Sequence, residues 1–261
     1  MNNPLTPQQL RQRIRSGEFT EHTSGQCPGM VQCNMTILPK SWADEFLQFC
    51  QMNPKPCPVL GIAAAGSWEI PSLAKDLDVR TDIPRYRVYR DGVMAEEVTD
   101  ILDLWQDDFV TFMLGCSFSF EEALQADGLE VRNVSEHCNV PMYRTNVPCH
   151  PVGRFSGNMV MSMRPFPAAD AIRAIQICTR FPAVHGAPLH IGDPSQIGIR
   201  DLSQPEFGNA VTVHDHELPV FWACGVTPQV AIEQARPPIC ITHSPGYMLV
   251  TDIPNSKLSV M

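Results

Sequence analysis

The chain has 261 residues, with 19 Lys and Arg against 28 Asp and Glu, a net charge of −9 and a pI near 5.3. No Lys/Arg run or basic stripe is present, so duplex nucleic acid and anionic membrane surfaces are poor partners, whereas a small anionic substrate held by one local arginine is not excluded. The N-terminus lacks the apolar core of a signal peptide and no apolar run is long enough to cross a bilayer, so a soluble cytoplasmic protein with reduced cysteines is expected.

Residues 6–16 open on a Thr-Pro cap and form a short amphipathic helix ending at Gly17. Residues 25–34 are turn-rich. Ser41 is placed to cap a helix through Trp42, Phe46 and Phe49, which Pro54, Pro56 and Pro58 terminate. Residues 59–66 form a buried strand of small residues, and 82–89 a strand ended by the Asp91-Gly92 hairpin turn. Residues 96–105 carry Val98, Ile101, Leu102 and Trp105 at helical spacing, which predicts a helix.

Residues 109–115 are a continuous apolar run, the pattern of a strand covered on both faces. Ser119 with Glu122 then fits a capping box opening a helix. Ligands bind at such strand-to-helix turns, against free N–H groups and the positive helix end. Cys116, Ser117, Ser119 and Glu121 therefore stand where chemistry is expected, although an ordinary joint with a small core cysteine has the same look. The pattern returns at 219–234: an apolar strand, Cys224 and Gly225, then Thr227 as N-cap and Pro228 in the first turn. Cys116 aligns with Cys224 and Ser119 with Thr227, by duplication or because two such units obey the same rules. Either way the two turns would make one cleft.

Between them, residues 132–157 are irregular and hold Arg144 and Asn146. The Arg144 guanidinium is a natural clamp for a substrate carboxylate, or else an ion-pair partner within a loop. A strand at 158–163, closed by Arg164-Pro165, precedes a helix at 168–178. The loop 181–205 is rich in Gly and Pro and carries His185, His190 and Asp193, with histidine suited to acid–base work near neutral pH. Asp193 within Gly-Asp-Pro also reads as a simple turn. His243 lies near the end of a late strand, within reach of a shared cleft. The composition pattern places residues 1–131 and 206–261 in a larger α/β domain and 132–205 in a smaller inserted α+β domain. No nucleotide-binding fingerprint or standard metal-ligand spacing occurs, and no cofactor is called for, with a divalent metal and a homo-oligomer left open.

Several blocks together resemble the D-glutamate cyclase family: Gly115-Cys-Ser-Phe-Ser-Phe-Glu, Val140-Pro-Met-Tyr-Arg-Thr-Asn, Val184-His-Gly-Ala-Pro-Leu-His-Ile-Gly-Asp-Pro, Val220-Phe-Trp-Ala-Cys-Gly-Val-Thr-Pro-Gln and Thr242-His-Ser-Pro-Gly-Tyr-Met. The resemblance implies a three-layer α/β sandwich with a mixed sheet and a smaller two-layer α+β domain. It also implies a hydro-lyase that dehydrates D-glutamate to 5-oxo-D-proline or removes water from a related small acid. On that expectation Arg144 clamps the α-carboxylate, with Asn146, Ser117, Ser119, Cys224, Thr227 and His243 as further binding groups. His185 or His190 is the base, Glu121 or Asp193 the acid, and Cys116 a nucleophile in a less economical thioester route. The competing expectations are a metal-assisted dehydratase of a hydroxy acid and a non-catalytic amino-acid-binding protein.

Overall fold

A computed structural model describes residues 5–260. It contains two antiparallel sheets. The larger has strand order β2-β5-β1-β10-β3-β4, with β11 also pairing β1, and the smaller has order β6-β7-β9-β8. The strands are β1 (Met30–Pro39), β2 (Val59–Ile62), β3 (Tyr86–Arg90), β4 (Val93–Val98), β5 (Phe109–Gly115), β6 (Met142–Pro148), β7 (Asn158–Pro167), β8 (His190–Ile191), β9 (Glu217–Ala223), β10 (Cys240–His243) and β11 (Leu249–Pro254). The helices are α1 (Pro7–Arg15), α2 (Lys40–Met52), α3 (Phe118–Ala126), the single turn α4 (Arg132–Ser135), α5 (Ala168–Cys178) and α6 (Thr227–Ala235). The expected α/β class with a second, smaller sheet is present, and the smaller sheet reaches past residue 205 because β9 pairs with β7 and β8.

The two halves repeat. β1 and β7 are both ten-residue strands ending on a proline that serves as the N-cap of α2 and α5. β5 pairs with β1 and β9 with β7, in the same register: Cys33 faces Gly115 and Met161 faces Ala223, each six residues before its terminal proline. Cys116 follows the first pairing and Cys224 the second. The helices after these cysteines cross over. α3 leaves the larger sheet and packs through Phe120 and Leu124 with α5 onto Phe166 and Trp222 of the smaller one. α6 leaves the smaller sheet and reaches the larger, where Gln229 accepts from the Tyr89 hydroxyl at 3.1 Å and donates to the His243 carbonyl at 3.1 Å. Between the sheets, Phe46 and Phe49 of α2 and Ile232 of α6 share one core with Phe112, Leu114, Met161 and Phe221. The exchange brings both cysteine turns to the junction of the two sheets.

Three local expectations are corrected. Residues 96–105 are not a helix: the Asp91-Gly92 turn carries pairing on through β4, an exposed edge strand whose Glu97 binds Arg87 at 2.8 Å across the ladder. Only residues 102–104 make a single turn, and Leu102 is exposed while Ile101 is buried. Ser119 is not the N-cap of α3. Ser117 holds that position without a capping bond, because its hydroxyl accepts a hydrogen bond from Arg164 instead. Thr227 is the first residue of α6, and its hydroxyl ties the turn to β7, accepting from Val160 N–H at 3.1 Å and donating to the Cys224 carbonyl at 2.7 Å.

Candidate active site

At the end of β5 the chain must pass very close to its neighbours. A Cβ on Gly115 would lie 2.3 Å from the Ala183 carbonyl, and one on Gly225 would lie 2.0 Å from the Asn34 amide nitrogen. That amide donates to the Gly115 carbonyl at 2.8 Å. One asparagine side chain is therefore the spacer between the two cysteine turns. Phe118, the first residue of α3, packs against the cluster that contains Cys224 and Val226. The two turns thus meet, as their sequence repeat suggested.

The electrostatic centre is Arg164 of β7, wholly buried. Its Nε donates to Glu121 at 3.0 Å and its Nη2 to Ser117 Oγ at 2.9 Å and again to Glu121, while Nη1 donates to Ser162 Oγ at 3.1 Å. Ser117 and Glu121 stand four residues apart and so share one face of α3. Sequence reading missed this arginine, treating it as the close of a strand. The available signal was a cation two residues inside a buried strand, which must find a carboxylate.

Ser119 lies on the other flank of α3 with Ala123. There it lines a surface cavity of about 370 Å³ and its hydroxyl has no partner, so it is not part of the Arg164 group.

The loop after α5 packs against Gly115 at the end of β5. His185 is buried at φ +82, an uncommon conformation for a residue with a side chain and one that clusters at functional sites. Its Nδ1 lies 2.6 Å from the Lys55 carbonyl, and Lys55 Nζ donates to the Ala187 carbonyl at 2.8 Å, pinning the loop. A carbonyl only accepts, so Nδ1 carries the proton and Nε2 is left as an acceptor. Burial, aided by the nearby Arg164 charge, holds the ring's pKa down to about 4, so it is neutral at pH 7. Burial pushes the Cys116 thiol up to about 12 and the Cys224 thiol up to about 11. Cys224 and Glu121 add to the rise at Cys116, whereas Arg164 opposes it at both sulfurs. The backbone N–H groups of Phe118 and Val226 face these sulfurs. Among the described residues, Ser117, Phe118, Gly225 and Val226 N–H groups have no oxygen acceptor. Each pair heads a helix, the arrangement that receives anionic oxygen.

Other expected residues lie elsewhere. Arg144 is not a free clamp: its exposed guanidinium binds Glu233 at 2.8 and 2.9 Å and packs on Phe207. Asn146 is exposed beside Gly198. His190 Nε2 contacts the Asp193 carbonyl at 2.8 Å, and its ring packs on Phe221. Asp193 caps a short turn through Ser195 N–H, a bond that lowers its pKa, so it is a poor acid. His243 Nδ1 accepts from Met35 N–H at 3.1 Å, one residue along β1 from Asn34. Among the described residues, no group of three His, Cys, Asp or Glu is placed to hold a metal ion. Within the same span no helix is long and apolar enough to cross a membrane.

Comparison with known proteins matches residues 110–252 to the D-glutamate cyclase family. A protein of Paraburkholderia phytofirmans named "Putative hydro-lyase" is 59% identical, covering 98% of this chain and 99% of its own length. Proteins of the same description from Bordetella petrii and Geobacillus kaustophilus are 56% and 54% identical, covering 98% and 99% of this chain and 97% and 98% of their own.

Proposed function

The chain belongs to the D-glutamate cyclase family, and from that premise we propose that it is a hydro-lyase that removes one water from a small amino diacid, closing D-glutamate to 5-oxo-D-proline. The observation that carries this reading is the helix N-terminus at Ser117 bound to buried Arg164, with the second cysteine turn packed against it through Asn34 and Phe118.

In the reaction the substrate nitrogen bonds to the γ-carboxyl carbon and a carbon–oxygen bond of that carboxyl breaks. The ammonium gives up two protons, and the departing oxygen collects two and leaves as water. His185 Nε2, the acceptor nitrogen of a neutral ring, takes a proton from the attacking nitrogen. The N–H groups of Ser117 and Gly225, which have no acceptor among the described residues, would receive the oxygen on which negative charge grows. Cys116 and Cys224, both protonated at neutral pH, donate to the departing oxygen. Glu121 is already engaged by Arg164 through two guanidinium nitrogens, so the thiols are assigned the acid role instead. Arg164 positions Ser117 and Glu121.

The test is incubation of purified protein with D-glutamate, L-glutamate and small hydroxy diacids, with mass spectrometry following loss of one water in the presence and absence of chelator. D-glutamate is expected to convert, chelator or not. Tight binding without conversion of any of them would make the protein a binding module instead. Activity lost to chelator and restored by Mn²⁺ would favour metal-assisted dehydration.

A further inference from the structure

Beside Glu121, the loop 25–30 folds over the first turns of α3 and leaves a small cavity of about 80 Å³, lined in part by Gln32, Phe118, Glu121, Glu122 and Asn255. Two of its amide oxygens are left without a partner. Gln32 Nε2 donates to the Thr23 and Gln26 carbonyls at 3.0 and 3.2 Å, which fixes that amide and leaves Oε1 buried without a donor. Asn255 Nδ2 donates to Glu122 at 2.9 Å, which fixes the second amide and likewise leaves its Oδ1 buried without a donor. No Lys or Arg side chain is among the lining residues. Two orphaned carbonyl oxygens and the Glu122 carboxylate therefore line this space, and among the described residues no donor, the Gln26 and Gln125 amides included, reaches those two oxygens. Buried acceptors in folded proteins are as a rule paired, so this arrangement calls for a ligand.

We propose that this cavity seats a primary ammonium group, received by Gln32 Oε1, Asn255 Oδ1 and Glu122. A primary ammonium offers three N–H donors and one positive charge, and the space fits such a head group but not a whole metabolite. On the reading above, this group is the α-ammonium of the substrate, held beside Glu121 on entry; the nitrogen leaves this cavity before deprotonation, since His185 is not among the lining residues. The subsite rests on that reading only for the identity of the molecule, since its chemistry follows from the acceptors alone.

The experiment separates the two. Thermal unfolding is followed with ethylammonium chloride, tetramethylammonium chloride and potassium chloride at equal ionic strength, for the wild type, Glu122→Gln and Gln32→Met. Ethylammonium is expected to raise Tm in a saturable way, because a ligand of the folded state stabilises it. Tetramethylammonium, which has no N–H donor, is expected to do nothing. Glu122→Gln should weaken the apparent affinity about tenfold or more, since Asn255 holds the new amide oxygen and turns its NH₂ toward the site. Glu122→Gln is nearly isosteric and decides the matter alone should Gln32→Met fail to fold. An equal rise with potassium, meaning an adventitious ion only, or an undiminished rise in Glu122→Gln, overturns the proposal. A rise confined to ethylammonium in a protein that leaves D-glutamate unconverted would uphold the subsite and sink the reaction.

Discussion

Glu121 and Arg164 bind each other through two guanidinium nitrogens, and neither side chain is more than 6% exposed. The pair joins the helix that follows the larger sheet to the second strand of the smaller one. Removing one partner leaves a buried charge without compensation, which costs about 3–5 kcal/mol. Glu121→Ala is expected to destabilise by that amount in urea unfolding. The double change Glu121→Leu with Arg164→Met should recover most of the loss while abolishing turnover. A Glu121→Ala variant as stable as wild type would show that the charges are solvated.

The two buried histidines set the acid limit of the fold. His185 and His243 are both held down to about 4, chiefly by burial, against about 6.5 in an unfolded chain. Each ring therefore binds its proton more weakly when folded. Its contribution to stability is full above about pH 6.5 and is lost as pH falls toward 4, by at most about 3 kcal/mol per ring. Urea midpoints measured from pH 8 to pH 4 should fall across that window and flatten in His185→Asn. Asparagine tolerates the positive φ at this position and can still donate to the Lys55 carbonyl. An unchanged slope in that variant would mean that His185 is not the titrating group.

Much of this arrangement was legible in the residues, and the gaps have physical causes. The strand–cysteine–helix turns announced themselves because an apolar run, a glycine and a helix-starting residue recur in fixed order, and those rules are local. The convergence of the turns was suggested by the repeat, but the crossing of α3 and α6 between sheets was not. Helix placement depends on which apolar face finds which sheet, as Phe120 finds Trp222. Which of Arg144 and Arg164 is buried is not legible in the chain, since a charged side chain shows its burial only through its partner. For one the partner is exposed Glu233, for the other buried Glu121. The helix expected at 96–105 failed because an exposed edge strand needs no strict alternation.

Thiol chemistry should follow burial. Cys138 is half-buried, while Cys116 and Cys224 are buried and strongly shifted toward the protonated form. In iodoacetamide labelling at pH 8, read peptide by peptide, Cys138 should react first. Cys116 and Cys224 should lag by about a hundredfold or more, as their thiolate fractions dictate. Fast labelling of Cys116 would reveal a reactive thiolate and revive the thioester route.

Asn34 and Gly225 should behave as one unit. A methyl group on Gly225 would lie 2.0 Å from the Asn34 amide, so Gly225→Ala should force the turns apart at about 1–3 kcal/mol. Asn34→Ala alone loses the bond to the Gly115 carbonyl. Made together, the two changes should cost less than their sum, because the second opens the space that the first needs. Strict additivity in the double-mutant cycle would mean that the turns do not touch through Asn34.

The two cysteines offer the most direct test of the proposed chemistry. A serine in place of either keeps the size and a hydroxyl but is a far weaker acid. Cys116→Ser and Cys224→Ser should each lower kcat about 10²-fold or more while KM stays close to wild type, the signature of a group acting mainly on the departing oxygen. Because the thiols stand at equivalent places in the structural repeat, a large loss in one variant alone would assign proton donation to that turn. The other cysteine would then be part of the wall. Wild-type rates in both would leave the thiols as packing residues and move the search for the acid to the helix N-termini themselves.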